Sequence, residues 1–186
     1  MTGAGRALRR KTLRRGAACA LIAFAFAFAL TNRAAAQELW RGLPLGASVN
    51  SVRQAFPDAA PPSAVATLAD GETDDLVTHG LFFDDRLMEV RFFFRDGLLT
   101  ALQLTPATLG RSREDLSFAR DMSARLTARY GRAFDCGDQS DADVGLYECK
   151  WLDGPIIVRL SYLDVEGQAP SLQITYRKAD DAAYDF

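Results

Sequence analysis

Histidine is almost missing from this 186-residue chain, which has one, His79, alongside three cysteines and two tryptophans. A single imidazole cannot build a multi-histidine zinc site, and any Ser-His-Asp chemistry would have to run through His79. No G-x-S-x-G elbow offers a nucleophile, and no phosphate-binding glycine loop or dinucleotide fingerprint occurs. C-x-x-C spacing is absent, which argues against a thiol redox or zinc motif. Heptads and low-complexity tracts are also absent. The longest apolar run, Ala17 to Leu30, is shorter than the roughly 18 to 20 residues that a spanning helix needs.

Acidic residues are missing altogether from residues 1–36, which hold seven cations: Arg6, Arg9, Arg10, Lys11, Arg14, Arg15 and Arg33. A cationic n-region, an apolar run and Ala34-Ala35-Ala36 before Gln37 form the pattern of a cleaved signal peptide. The expected mature chain is Gln37 to Phe186, with an uncleaved anchor as the alternative. Lipidation is disfavoured because Cys19 sits near the start of the apolar run. Arg9-Arg10 keeps twin-arginine export open beside the default Sec route, although Leu8 and Thr12 depart from the usual surroundings of that pair. The expected location is periplasmic or secreted, with no stable membrane insertion after cleavage.

Loss of the segment leaves 15 cations against 24 acids, a formal charge of −9. An acidic domain without a Lys/Arg run is repelled by phosphate backbones and anionic lipid, so nucleic acid is not an expected partner. The mature chain retains two cysteines, Cys136 and Cys149. An even pair in an exported protein reads as a disulfide.

Residues 37–186 are expected to form a single α+β domain. Ser48 caps a short helix carrying Val49, Val52 and Phe56 on one face and stopped by Pro57. The proline-rich stretch Pro57 to Pro62 and the acidic stretch Asp70 to Asp75 read as loop. Strands are expected at about Leu76 to Phe83, at Met88 to Arg95 and at Leu98 to Thr105, joined by turns at Asp84-Asp85 and Asp96-Gly97. A second helix runs from about Arg113 to Tyr130, between the capping box Ser112-Arg113-Glu114-Asp115 and Gly131. Its stripe of Leu116, Phe118, Ala119, Met122, Leu126 and Tyr130 faces a core. Leu146 to Leu152, Pro155 to Leu163 and Leu172 to Lys178 follow as strands. The order predicts two α-β-β-β repeats forming an antiparallel sheet with two helices packed on one face. On the open face, Phe93 between Arg91 and Arg95 is the expected partner-binding site, with burial of Phe93 beneath the loop from Pro57 to Asp75 as the competing account.

The stretch Leu45-Gly46-Ala47-Ser48-Val49-Asn50-Ser51-Val52-Arg53-Gln54-Ala55-Phe56-Pro57 resembles the helix-opening motif of the outer-membrane assembly lipoprotein BamE (SmpA) family. Leu126 to Phe134 looks like the helix ending of related modules. The beta-lactamase inhibitor proteins are similar in carrying two such repeats and grip an enzyme with an exposed sheet face. The resemblance implies a two-repeat envelope module that binds a protein. This chain lacks a lipid-bearing cysteine after its apolar run, and no binding residue is carried over.

A lone histidine such as His79 reads first as structural. Asp84 and Asp85 belong in a solvated turn. Asp135, Asp138, Asp141 and Asp143 cluster around the cysteine loop, where they could hold Ca²⁺ weakly, yet EF-hand spacing fails. No catalytic residue, cofactor or metal ligand is therefore assigned. The expected function is a non-enzymatic module recognising a protein or envelope component through an open sheet face. A small periplasmic hydrolase using His79 and a structural accessory in envelope assembly are the competing readings.

Overall fold

A computed structural model describes residues 38–68, 71–83, 86–109, 112–141 and 143–179, with the side chains of 112–114 excepted. The export segment, its processing point before Gln37, the Asp84-Asp85 turn and the side chains of the Ser112-Arg113-Glu114 capping box lie outside the described residues.

Alternation of apolar and polar residues builds the sheet. Strands β3 (Thr73–Phe83), β4 (Arg86–Arg95), β5 (Leu98–Pro106), β6 (Asp135–Asp138), β7 (Val144–Asp153), β8 (Ile156–Val165) and β9 (Ser171–Lys178) pair in the order β3-β4-β5-β9-β8-β7-β6. Every neighbouring pair is antiparallel. Register aligns Leu76, Phe92, Leu102, Tyr176, Val158 and Trp151 across six strands, and all six are buried. Burying each such side chain contributes about 1.5 to 3 kcal/mol. The β4–β5 hairpin closes at Asp96-Gly97, where both residues have positive φ (53° and 73°), as a two-residue primed turn requires.

Two helices and a small ribbon cover the apolar face. Helix α1 (Val49–Ala55) starts at Ser48, whose side chain accepts from the Ser51 N–H. It buries Val52 completely and ends at Phe56, whose ring stacks on Trp40 and leans on Phe92. Helix α2 (Ser112–Tyr130) lays Ala119, Met122 and Leu126 into the core over β7 and β8. The Trp151 indole N–H donates to Thr127 Oγ1 at 3.3 Å, fixing helix to sheet. The ribbon consists of β1 (Glu38–Trp40) and β2 (Leu43–Pro44), and it contributes buried Leu39, Trp40 and Leu43. Among the described residues no helix is long and apolar enough to cross a membrane.

The expected α+β fold of two α-β-β-β repeats is overturned. Strands dominate, α1 has only seven residues against nineteen in α2, and the second half carries four strands where the first carries three. A helix of seven residues is only about 10 Å long. It cannot cover half of a seven-stranded sheet, and the ribbon fills the remaining area. Strand β6 escaped the periodicity argument because Asp135-Cys136-Gly137-Asp138 has no apolar alternation. Its ladder to β7 sets Cys136 directly opposite Cys149, with the sulfurs joined. Thr73, Asp74 and Asp75 belong to β3 rather than to a loop. Asp74 is buried on the outer side of the sheet because a cation, Arg91, meets it there.

Candidate functional site

Rows of side chains between the core rows point to the opposite side of the sheet, which neither helix covers. One row runs Asp74, Phe93, Ala101, Arg177, Ile157, Leu152. The next runs Val77, Arg91, Gln103, Thr175, Arg159, Lys150, Asp135. A third aligns Gln173, Ser161 and Glu148 on β9, β8 and β7, with Glu89 opposite Thr105 on β4 and β5.

Charges of both signs interlock along this face. Arg91 Nη1 lies 2.7 Å from Asp74 Oδ2, and its Nε donates to Glu89 Oε1 at 2.6 Å. The hydrogen bond to Glu89 raises the Arg91 pKa, and contact with Asp74 adds to it. At the far edge Lys150 Nζ bridges Asp135 at 2.8 Å and Glu148 at 2.9 Å, while Glu148 also accepts from Arg159. The bond to Asp135, followed by that to Glu148, raises the Lys150 pKa. Gln103 donates its side-chain amide to Gln173 in the middle. Such pairs fix long side chains in one arrangement before any partner arrives.

Phe93 corrects the expectation made from sequence. Alternation does place it on the outer side, but it is only 1% exposed. Ala60 pairs with Val77 alongside β3, Asp74 Oδ1 accepts from the Ala66 N–H, and Arg91 donates to the Ala64 carbonyl. These bonds tie the segment after Pro57 to the outer side of β3 and β4, where Phe93 sits between Asp74 and Ala101. Of its flanking arginines, Arg91 is bound into that network, whereas Arg95 is about half exposed and reaches Glu72 at 3.2 Å. The acids and amides of the face were legible in part. Glu89 with Arg91, and Glu148 with Lys150, stand two apart on strands, which puts opposite charges on one side.

His79 is exposed on β3 with Nδ1 3.6 Å from Glu89, so the fold joins it to the charged network. Among the described residues no hydroxyl or thiol donates to its ring. Of the aspartates around the cysteine loop, Asp141 and Asp143 line one open depression with Asp164 and Glu166, whereas Asp135 and Asp138 are drawn to separate partners. Asp135 binds Lys150, Asp138 binds Arg120 at 3.0 Å, and Asp141 accepts from the Asp143 and Val144 N–H groups. Among the described residues no three His, Cys, Asp or Glu side chains converge as a metal site would require. Comparison with known proteins finds no matching family, no matching curated protein and no matching solved structure.

Proposed function

We propose that this chain is an exported, non-enzymatic binding module that recognises a protein or envelope component across the outer face of its seven-stranded sheet. The observation that carries the reading is the interlocked charge pattern on that face, from Arg91 and Glu89 through Gln103 and Gln173 to Arg159, Glu148 and Lys150. A surface presenting both signs in fixed positions selects a partner of complementary pattern and discriminates against general polyanions. Because neighbouring charges already hold one another, little side-chain freedom is lost on docking. The contact surface differs from the first expectation, since polar side chains stand where Phe93 was to be the anchor. Export rests on the cationic, acid-free segment before Gln37 and on the paired cysteines.

A photo-crosslinking residue at Gln173, compared with one at Asp121 on the exposed side of α2, tests the surface in cells expressing the protein. The reading expects a discrete adduct from Gln173 that Arg159→Glu abolishes, and none from Asp121. Adducts of equal strength from both positions, or from neither, would refute it. Intact mass of the exported chain tests processing, and a product beginning at Gln37 is expected.

A further inference from the structure

Apolar exposure is concentrated on the outer face of the sheet. Of the seven large apolar residues exposed among the described residues, five lie there: Val65, Phe82, Leu87, Leu152 and Leu163. Leu87 precedes buried Met88 and so points outward, and Phe82 pairs with it. Leu152 and Leu163 follow the buried Trp151 and Tyr162 and point outward for the same reason. Val65 stands in the segment over β3 and β4, between the Ala64 carbonyl held by Arg91 and the Ala66 N–H held by Asp74. Single exposed apolar residues are ordinary, whereas several on one face mark a contact surface.

We infer that this face packs against the same face of a second copy of the chain. The inference rests on the sheet-face reading and names its partner. Register makes the face self-complementary. Outward residues run Leu87, Glu89, Arg91, Phe93 along β4 and Leu146, Glu148, Lys150, Leu152 along β7. Strand β8 runs the other way and places Leu163, Ser161, Arg159 and Ile157 beside those of β7. A cationic row therefore lies next to an acidic and polar one, with an apolar row outside each. A two-fold axis crossing the strands between the two inner rows sets Arg91 against Glu89 of the second copy, and Lys150 against its Glu148. The same rotation sets Ile157 against Leu163 and Leu152 against Leu146, and brings Val65 toward Leu87 and Phe82. Opposite charges meet and apolar rows meet, as an isologous contact between two packed sheets requires. Strands β4, β5, β9, β8 and β7, about 4.8 Å apart with outward rows about 6.8 Å apart, present roughly 650 Å² over four rows. Stable interfaces bury roughly 600 to 1,000 Å² per partner.

Sedimentation equilibrium of the exported protein over a dilution series, read beside the Gln173 crosslink, tests it. A reversible dimer is expected, with a Gln173 adduct of twice the chain mass. Val65→Asp, Lys150→Glu and Glu148→Lys should each raise the dimer Kd at least tenfold. An equimolar mixture of Lys150→Glu and Glu148→Lys should form a heterodimer, because each variant then meets the opposite charge across the axis. Val65 is 67% exposed and lies outside the sheet, so its variant keeps the test decisive if the strand variants fail to fold. A protein that stays monomeric but gives a Gln173 adduct with a different protein overturns the second copy and leaves the sheet-face reading standing. A monomer without any adduct overturns both. A dimer that Val65→Asp leaves unchanged, or a mixture of folded charge variants that fails to associate, overturns the assignment to this face.

Discussion

Arg91 on β4 reaches Asp74 on β3 with Nη1 2.7 Å from Oδ2, and the Asp74 side chain is completely buried. The same aspartate accepts the Ala66 N–H and the same arginine donates to the Ala64 carbonyl, so one ion pair anchors the preceding segment to the sheet. Arg91→Met should lower the unfolding free energy by about 3 kcal/mol, because it strands a buried carboxylate. Adding Asp74→Asn removes that charge while keeping an acceptor for Ala66. The double variant should therefore be more stable than Arg91→Met alone in urea titrations. A double variant as unstable as the single one would show that charge burial is not the cause.

Phe93 behaves as core in this structure. Phe93→Ala should lower stability by roughly 3 to 5 kcal/mol, comparable to Phe92→Ala, through the cavity each leaves. Urea unfolding of both variants checks this. A loss below about 1 kcal/mol for Phe93→Ala, the size of an ordinary surface change, would contradict its burial.

The joined Cys136 and Cys149 hold β6 to the edge of the sheet. Thiol titration of the unfolded, unreduced protein should detect no free thiol at these two positions. Replacing both by alanine should reduce stability by roughly 3 kcal/mol, the loop-closure entropy of about 14 residues. Amide exchange at Gly137 and Asp138 should accelerate in that variant, while β8 and β9 keep their protection. Uniform loss of protection across the sheet would mean that β6 is not a separate unit.

Burial, followed by the nearby charges of Asp164 and Asp115, pushes the Tyr162 hydroxyl from 10.0 up to about 12. A folded-state pKa above the unfolded one means that folding favours the neutral phenol. This contribution is fully present below pH 10 and is lost as pH rises toward about 12. The chain should lose stability across that window, and Tyr162→Phe should lose less over the same interval. Urea midpoints measured between those pH values decide it, and identical slopes for the two proteins would rule the mechanism out.

Elements governed by near neighbours were readable. The alternation from Met88 to Phe94, the Asp96-Gly97 turn, the Ser48 cap and the α2 stripe all appear in the structure, because each depends on backbone geometry within a few residues. Strand β6 and the β1–β2 ribbon were not, since polar or very short segments become strands only when a partner edge satisfies their backbone groups. The candidate face divides in the same way. Glu89 and Arg91 advertise a charged side by their spacing, but the alignment of Gln103 with Gln173 and of Glu148 with Arg159 awaits the register.

By itself, the sequence determined the segment read as an export signal, the cysteine pair, the strand alternation and the outward direction of Phe93, because these follow from composition, count and a period of two. Tertiary structure alone decided that β5 pairs with β9, joining both halves into one sheet. It also decided that Phe93 is covered while its neighbours in sequence bind other strands and loops. Direction is a property of the backbone, whereas exposure depends on which distant segment comes to lie above it, and here the Asp74–Arg91 pair anchors that segment.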